Sequence, residues 1–244
     1  ARILKVYIFS TITDRWGDIP YSQALSGAKT PAFDKQADIY TDMLKELKEA
    51  VAAFNTSSGI SGDILLGGNI SKWKKFANSL RLRLALQLTK KYPAAGGFAA
   101  QQFALALNDA GGIITDNADN ITLVYPGGSF KQTWYNAYLG RKDFGESNTM
   151  TNLTALLADG RQTVFVGATE DQTPSNPQWN ASSNLGVPYG RLRAFVDPWT
   201  QANPTWARIL RGDYRKENGE VVILSASEVF LARAEAADRG WTSE

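Results

Sequence analysis

Two clusters set aromatic rings beside amide and guanidinium groups: Trp134, Tyr135, Asn136 and Tyr138 next to Arg141 and Asp143, and Trp179, Asn180, Asn184 and Tyr189 next to Arg191. A flat ring stacks on an apolar C–H face while neighbouring amides and guanidinium groups hydrogen-bond hydroxyls, so each combination suits a sugar ring. The same residues also fit a structural role, as lids over a helical core with their polar ends in water. Trp179 lies among Gln178, Asn180, Ser182, Ser183 and Asn184, a run that points to exposure. Trp199 and Trp206 stand close to Pro198 and Pro204 and read as loop anchors.

Other chemistries are narrowed by what the chain lacks. It has no histidine and no cysteine, which closes Ser-His-Asp and Cys-His nucleophiles, His or thiolate metal sites and disulfides. Carboxylates and lysines remain. Asp143 with Glu146, or Glu170 with Asp171, could serve as the acid pair of a glycoside hydrolase, although acids this near in sequence are usually solvated surface. Asp18 sits in the WGDIPYS segment, where a Gly-Asp-x-Pro turn between aromatics reads as a loop anchor rather than a catalytic site. Gly62, Gly67 and Gly68 form a Gly-rich approach to a helix without the spacing of a phosphate-binding loop. No metal and no cofactor is expected.

The elements that must position these groups are helical. From Lys72 to Lys91 there are seven basic and no acidic residues, and Trp73, Phe76, Leu80, Leu84 and Leu88 recur every three or four positions. Leu82 and Leu86 widen the apolar face and leave no clean basic stripe, so the helix reads as a strut whose cations reach water or carboxylates. With 26 Lys plus Arg against 24 Asp plus Glu, the net charge of +2 gives no electrostatic case for nucleic acid. No apolar run approaches the roughly 18 to 20 residues that span a bilayer.

At 244 residues and 43% hydrophobic content the chain can bury a sizeable core. Helical patterns cover 3–12, with a stop at Thr13, Asp14 and the Gly17–Pro20 turn, and the region after Asp34, closed by Gly59 and Gly62. Further patterns cover 71–92, 98–110 and the stretch from Met150 to Leu157 behind Ser147 and Asn148. Ser225 and Glu228 form a capping box before a last helix that Gly240 stops. Residues 113–146 and 160–220 read as loop-rich excursions, the first with a short extended segment at Ile121, Leu123 and Tyr125, the second carrying five of the nine prolines. The fold expected is all-α, built of degenerate tetratricopeptide-like helical hairpins with long irregular ligand-binding loops, one domain over 1–244. No strict repeat near 34 residues is present.

The WGDIPYSQAL segment at 16–25, the basic helix and SASEVFLARAEAADRGW at 225–241 occur in the order used by the SusD/RagB family, joined by IYTDMLKELKEAV at 39–51. The chain resembles that family from near residue 1 to near residue 241. The resemblance implies a non-catalytic, lipid-anchored protein of the Bacteroidetes outer membrane that binds oligosaccharide at the cell surface. It further implies hand-over to a SusC-type TonB-dependent transporter by lid motion. Some members serve oligopeptide import, which keeps a peptide ligand open. Asp159-Gly160-Arg161 departs from the Asp-Pro-Arg usual there. Both ends read as cut from a longer chain, so the lipid anchor is expected outside these residues.

Overall fold

The computed structural model describes residues 1–54 and 60–242. In chain order the elements are α1 (Arg2–Trp16), α2 (Gln36–Ala52), α3 (Ile70–Gln87), α4 (Phe98–Leu107), β1 (Ile121–Val124), α5 (Thr133–Tyr138), α6 (Asn148–Leu156), α7 (Gln162–Phe165), β2 (Val166–Gly167), α8 (Arg193–Ala202), β3 (Arg208–Ile209), β4 (Glu220–Leu224) and α9 (Ala226–Asp238). Helix dominates and the strands are short, in line with the all-α expectation. The chain divides into two compact units, 1–123 with 222–244, and 124–221. β1 and β4 are hydrogen-bonded neighbours and carry the chain out of the first unit and back into it.

In the first unit α3 packs against α1, α2, α4 and α9. Phe76, Leu80 and Leu84 of α3 meet Met43, Leu44 and Leu47 of α2, Phe103 of α4 and Val229 of α9 in one buried cluster. Each such side chain contributes roughly 1.5–3 kcal/mol on leaving water. This central place explains the cations of α3. Arg81 is 1% exposed and is met by Asn78 Oδ1 at 3.2 Å and Asp109 at 3.7 Å. Lys75 pairs with Asp119 at 2.5 Å, Arg83 with Glu228 at 2.6 Å, and Lys72 Nζ donates to the Ala118 carbonyl at 2.7 Å. The helix is a strut, with four of its five cations spent inside the unit.

The WGDIPYS turn is an anchor too. Asp18 accepts from Lys35 Nζ at 2.8 Å and from the Gln36 amide at 2.9 Å, the first amide of α2. Asp34 accepts the amides of Tyr21 and Ser22, and the Tyr21 ring meets Phe9 edge-on at 5.0 Å. The Gly-rich turn ahead of α3 is organised around a carboxylate. Asp63 accepts the amides of Leu65, Leu66 and Gly68 and the Trp73 indole N–H at 2.7 Å, so the donors that could cradle a phosphate are taken.

Burial opposes ionisation of Asp63, but the Leu66 amide, the Trp73 indole and the Gly68 amide outweigh it and hold its carboxyl below the usual range. The Lys35 ammonium lowers Asp18, and the Ser22 and Tyr21 donors lower Asp34. A carboxyl whose folded pKa lies below its unfolded value of about 4 stabilises fully above that pH, and the contribution is lost as pH falls through the folded pKa. The unfolding temperature should therefore hold level at neutral pH and drop below about pH 4, with a smaller drop for Asp63→Asn than for wild type. A melting temperature independent of pH down to about 3 would contradict these assignments.

Several boundaries differ from the sequence reading. α1 runs on to Trp16, because Thr13 turns its hydroxyl to the Gly17 carbonyl at 2.6 Å and the true stop is Gly17 at φ 72°. α2 starts at Gln36 and its expected Gly59 stop lies outside the described residues; α3 and α4 end at Gln87 and Leu107. Only half of the capping box forms: Ser225 Oγ accepts the Glu228 amide at 3.2 Å, while the Glu228 carboxylate goes to Arg83. Within 160–220 the chain holds α7, α8 and the antiparallel pair β2–β3, with Val166 opposite Ile209 and Gly167 opposite Arg208. Trp199 thus lies in a helix.

Candidate functional site

The second unit, 124–221, is organised by two buried arginines. Arg208 leaves β3 2% exposed, lays its guanidinium 3.7 Å from the Trp206 ring, donates to the carbonyls of Ala168, Pro204 and Trp206, and pairs with Glu170. Arg215, fully buried, donates to the Thr169 carbonyl at 2.5 Å and stacks 4.3 Å from the Tyr138 ring. Burial pushes Arg215 down to about 10. Together they tie the segment after β2 to α5.

α5 starts at Gln132, whose side chain accepts the Tyr135 amide at 2.9 Å while its own amide donates to the Glu217 carbonyl. Tyr138, at the other end, donates its hydroxyl to the Phe144 carbonyl and accepts the Ile209 amide, both at 2.8 Å. Tyr138 is therefore fixed on three sides. A second wall is Trp179, whose carbonyl and ring would lie 2.4 and 2.8 Å from a Cβ at Gly212, a close approach that only glycine permits.

Between these walls lies a cavity of about 760 Å³, lined by Tyr135, Tyr138, Leu139, Arg141, Lys142, Glu170, Gln172, Trp179 and Lys216 among others. The volume lies in the range of sites that hold small ligands. Part of its charge is paired within the lining. Lys142 Nζ pairs with Glu170 at 2.9 Å, and Gln172 Nε2 donates to the Tyr135 carbonyl at 2.9 Å. Burial opposes ionisation of Glu170, but Lys142 and Arg208 outweigh it and its carboxyl lies below the usual range. Asp171 is lowered by Asn176 and Thr173. Glu170 and Asp171 are thus held as anions, the wrong state for a general acid.

The structure divides the sequence-predicted residues. Tyr135, Tyr138 and Arg141 join Trp179 on this cavity. Tyr189 lies on a second cavity of about 690 Å³. Trp134 packs edge-on against Phe144 at 6.1 Å, and Asn136 reaches back to the Lys131 carbonyl at 3.3 Å. Asn180 and Asn184 are exposed, and Arg191 sits over the Phe195 ring at 5.4 Å; none of these five lines either cavity. Gln172, Lys142 and Lys216 were not singled out, since isolated polar residues in a loop carry no periodic signal. Trp206 and Arg208 did carry one: two apart in an extended segment, they share a face. Among the described residues no group of three or more acidic side chains could hold a metal ion, and no helix is long and apolar enough to cross a membrane.

Known proteins agree with this architecture. The SusD-like family described as starch-binding and associating with the outer membrane matches residues 1–244. A solved chitin-binding protein is 29% identical, with a TM-score of 0.77 over 98% of this chain and 51% of its own. A chitin-binding SusD homologue from Flavobacterium johnsoniae is 27% identical, with a TM-score of 0.79 over 99% and 48%. A SusD homologue from Bacteroides uniformis is also 27% identical, at 0.77 over 98% and 47%. The chain spans about half the length of these relatives. No curated protein matches. With the whole chain matched and the helical frame shared, the chain belongs to the SusD/RagB family.

Proposed function

We propose that this chain forms the ligand-holding part of a cell-surface protein that binds oligosaccharide without cutting it and passes it to a SusC-type TonB-dependent transporter. The observation that carries the reading is the cavity lined by Tyr135, Tyr138 and Trp179, where Lys142 and Glu170 pair with each other. Aromatic faces with amide and hydroxyl neighbours hold a neutral, hydroxyl-rich ligand by stacking and hydrogen bonds. Glu170 and Asp171, whose neighbours hold them as anions, support binding over hydrolysis. Two chitin-binding relatives make N-acetylated glucosamine oligomers the first ligands to try. Family membership supports an outer-membrane address, reached through a lipid anchor on the whole protein.

Calorimetric titration with chito-oligosaccharides, malto-oligosaccharides and short neutral peptides tests this. Binding of at least one sugar series at micromolar to millimolar Kd, with no shortened product on long incubation, is the expected result. Heat from peptides alone would move the ligand class to peptide, and released shorter sugars would make the protein a hydrolase.

A further inference from the structure

The second cavity is built from a different stretch of the same unit. Val187, Pro188 and Tyr189 supply its apolar side, with Tyr189 81% exposed, and α8 supplies Arg193, Thr200 and Gln201. Its charges are committed: Arg193 pairs with Asp197 at 3.1 Å, Lys142 with Glu170, and Asp143 with Arg141. What it offers a ligand is an open ring and polar neighbours without spare charge, and the first cavity likewise offers aromatic rings beside polar groups.

The two cavities share one wall. Lys142 lines both. Arg141 lines the first and its partner Asp143 the second. Trp206, on the second, carries Arg208, which holds Glu170 on the first. The segment 141–143 is therefore the rim between neighbouring cavities of similar size and chemistry. We infer that the two are consecutive subsites of one groove, so that a single extended glycan chain crosses at Lys142 and is gripped by Trp179 on one side and Tyr189 on the other. The inference rests on the glycan-binding reading above and adds chain-length selectivity to it.

The test is calorimetry on the whole chain with chito-oligosaccharides and malto-oligosaccharides from two to seven units. Wild type should bind the longest members of the recognised series at least about tenfold tighter than the shortest. Tyr189→Ala, at an exposed position that leaves the core untouched, should abolish that gain, so that the longest oligomers bind no tighter than the shortest. Trp179→Ala should weaken both. Equal affinity for short and long oligomers in wild type overturns the inference while the glycan reading stands, and so does a length gain that survives Tyr189→Ala. Absence of binding at every length overturns the glycan reading and this inference with it.

Discussion

Replacing Trp179 with alanine is expected to weaken oligosaccharide binding by about 2 kcal/mol, roughly thirtyfold in Kd, because a buried-edge aromatic anchor dominates a small site. Its indole is held against Gly212, where a Cβ would lie 2.8 Å from Cδ1, and its amide donates to the Asn176 carbonyl at 2.9 Å. Such preorganisation lowers the cost of ordering the ring on binding. Trp134 serves as the internal control. It packs on Phe144 away from the cavity, so Trp134→Ala should leave Kd within about twofold of wild type even if stability falls. Calorimetry on both variants, with circular dichroism to confirm folding, decides. Unchanged binding in Trp179→Ala beside lost binding in Trp134→Ala would remove the site from this cavity.

The largest effect on stability is expected at Glu170. Its carboxylate is the partner of Arg208, whose side chain is 3% exposed, and the two join the walls of the cavity through Lys142 and Trp206. Glu170→Gln keeps the shape and removes the counter-charge, which leaves a guanidinium buried without an anion. Breaking a buried pair costs about 3–5 kcal/mol; three carbonyls still accept from Arg208 and Glu170 is partly solvated, so about 3 kcal/mol is the expected loss. Urea unfolding followed by tryptophan fluorescence measures it. The double variant Glu170→Gln with Arg208→Met should recover a good part of that loss, since neither charge is then stranded. A single-variant cost under about 1 kcal/mol would mean that the pair does not organise the unit.

The helical frame was legible in the sequence because its faces repeat. Met43, Leu44 and Leu47 of α2 and Phe76, Leu80 and Leu84 of α3 fall on stripes that are all buried, and the Ser225 cap is where its residue type places it. α8 was not legible. None of its residues is buried, so no apolar stripe faces a core, and Pro198 inside it argues against helix in any sequence reading. The candidate site was half legible. Aromatic and amide content marked Tyr135, Tyr138 and Trp179, but grouping by sequence distance placed Trp179 with Tyr189, whereas the fold separates them. The cause is the arginine pair. A buried arginine reads as a surface one until its partners are known, and Arg208 and Arg215 hold residues 168–170, with Arg215 also stacked on Tyr138 of α5.

β1 and β4 lie side by side, so the segment 124–221 leaves along one strand and returns along its neighbour. The excursion of 124–221 starts and finishes on adjacent hydrogen-bonded strands, so its two ends form a fixed socket. Doubling the length of a chain segment closed at its base costs only about 0.6 kcal/mol in closure entropy. The length of the segment can therefore change at small entropic cost while its two ends stay paired at β1 and β4.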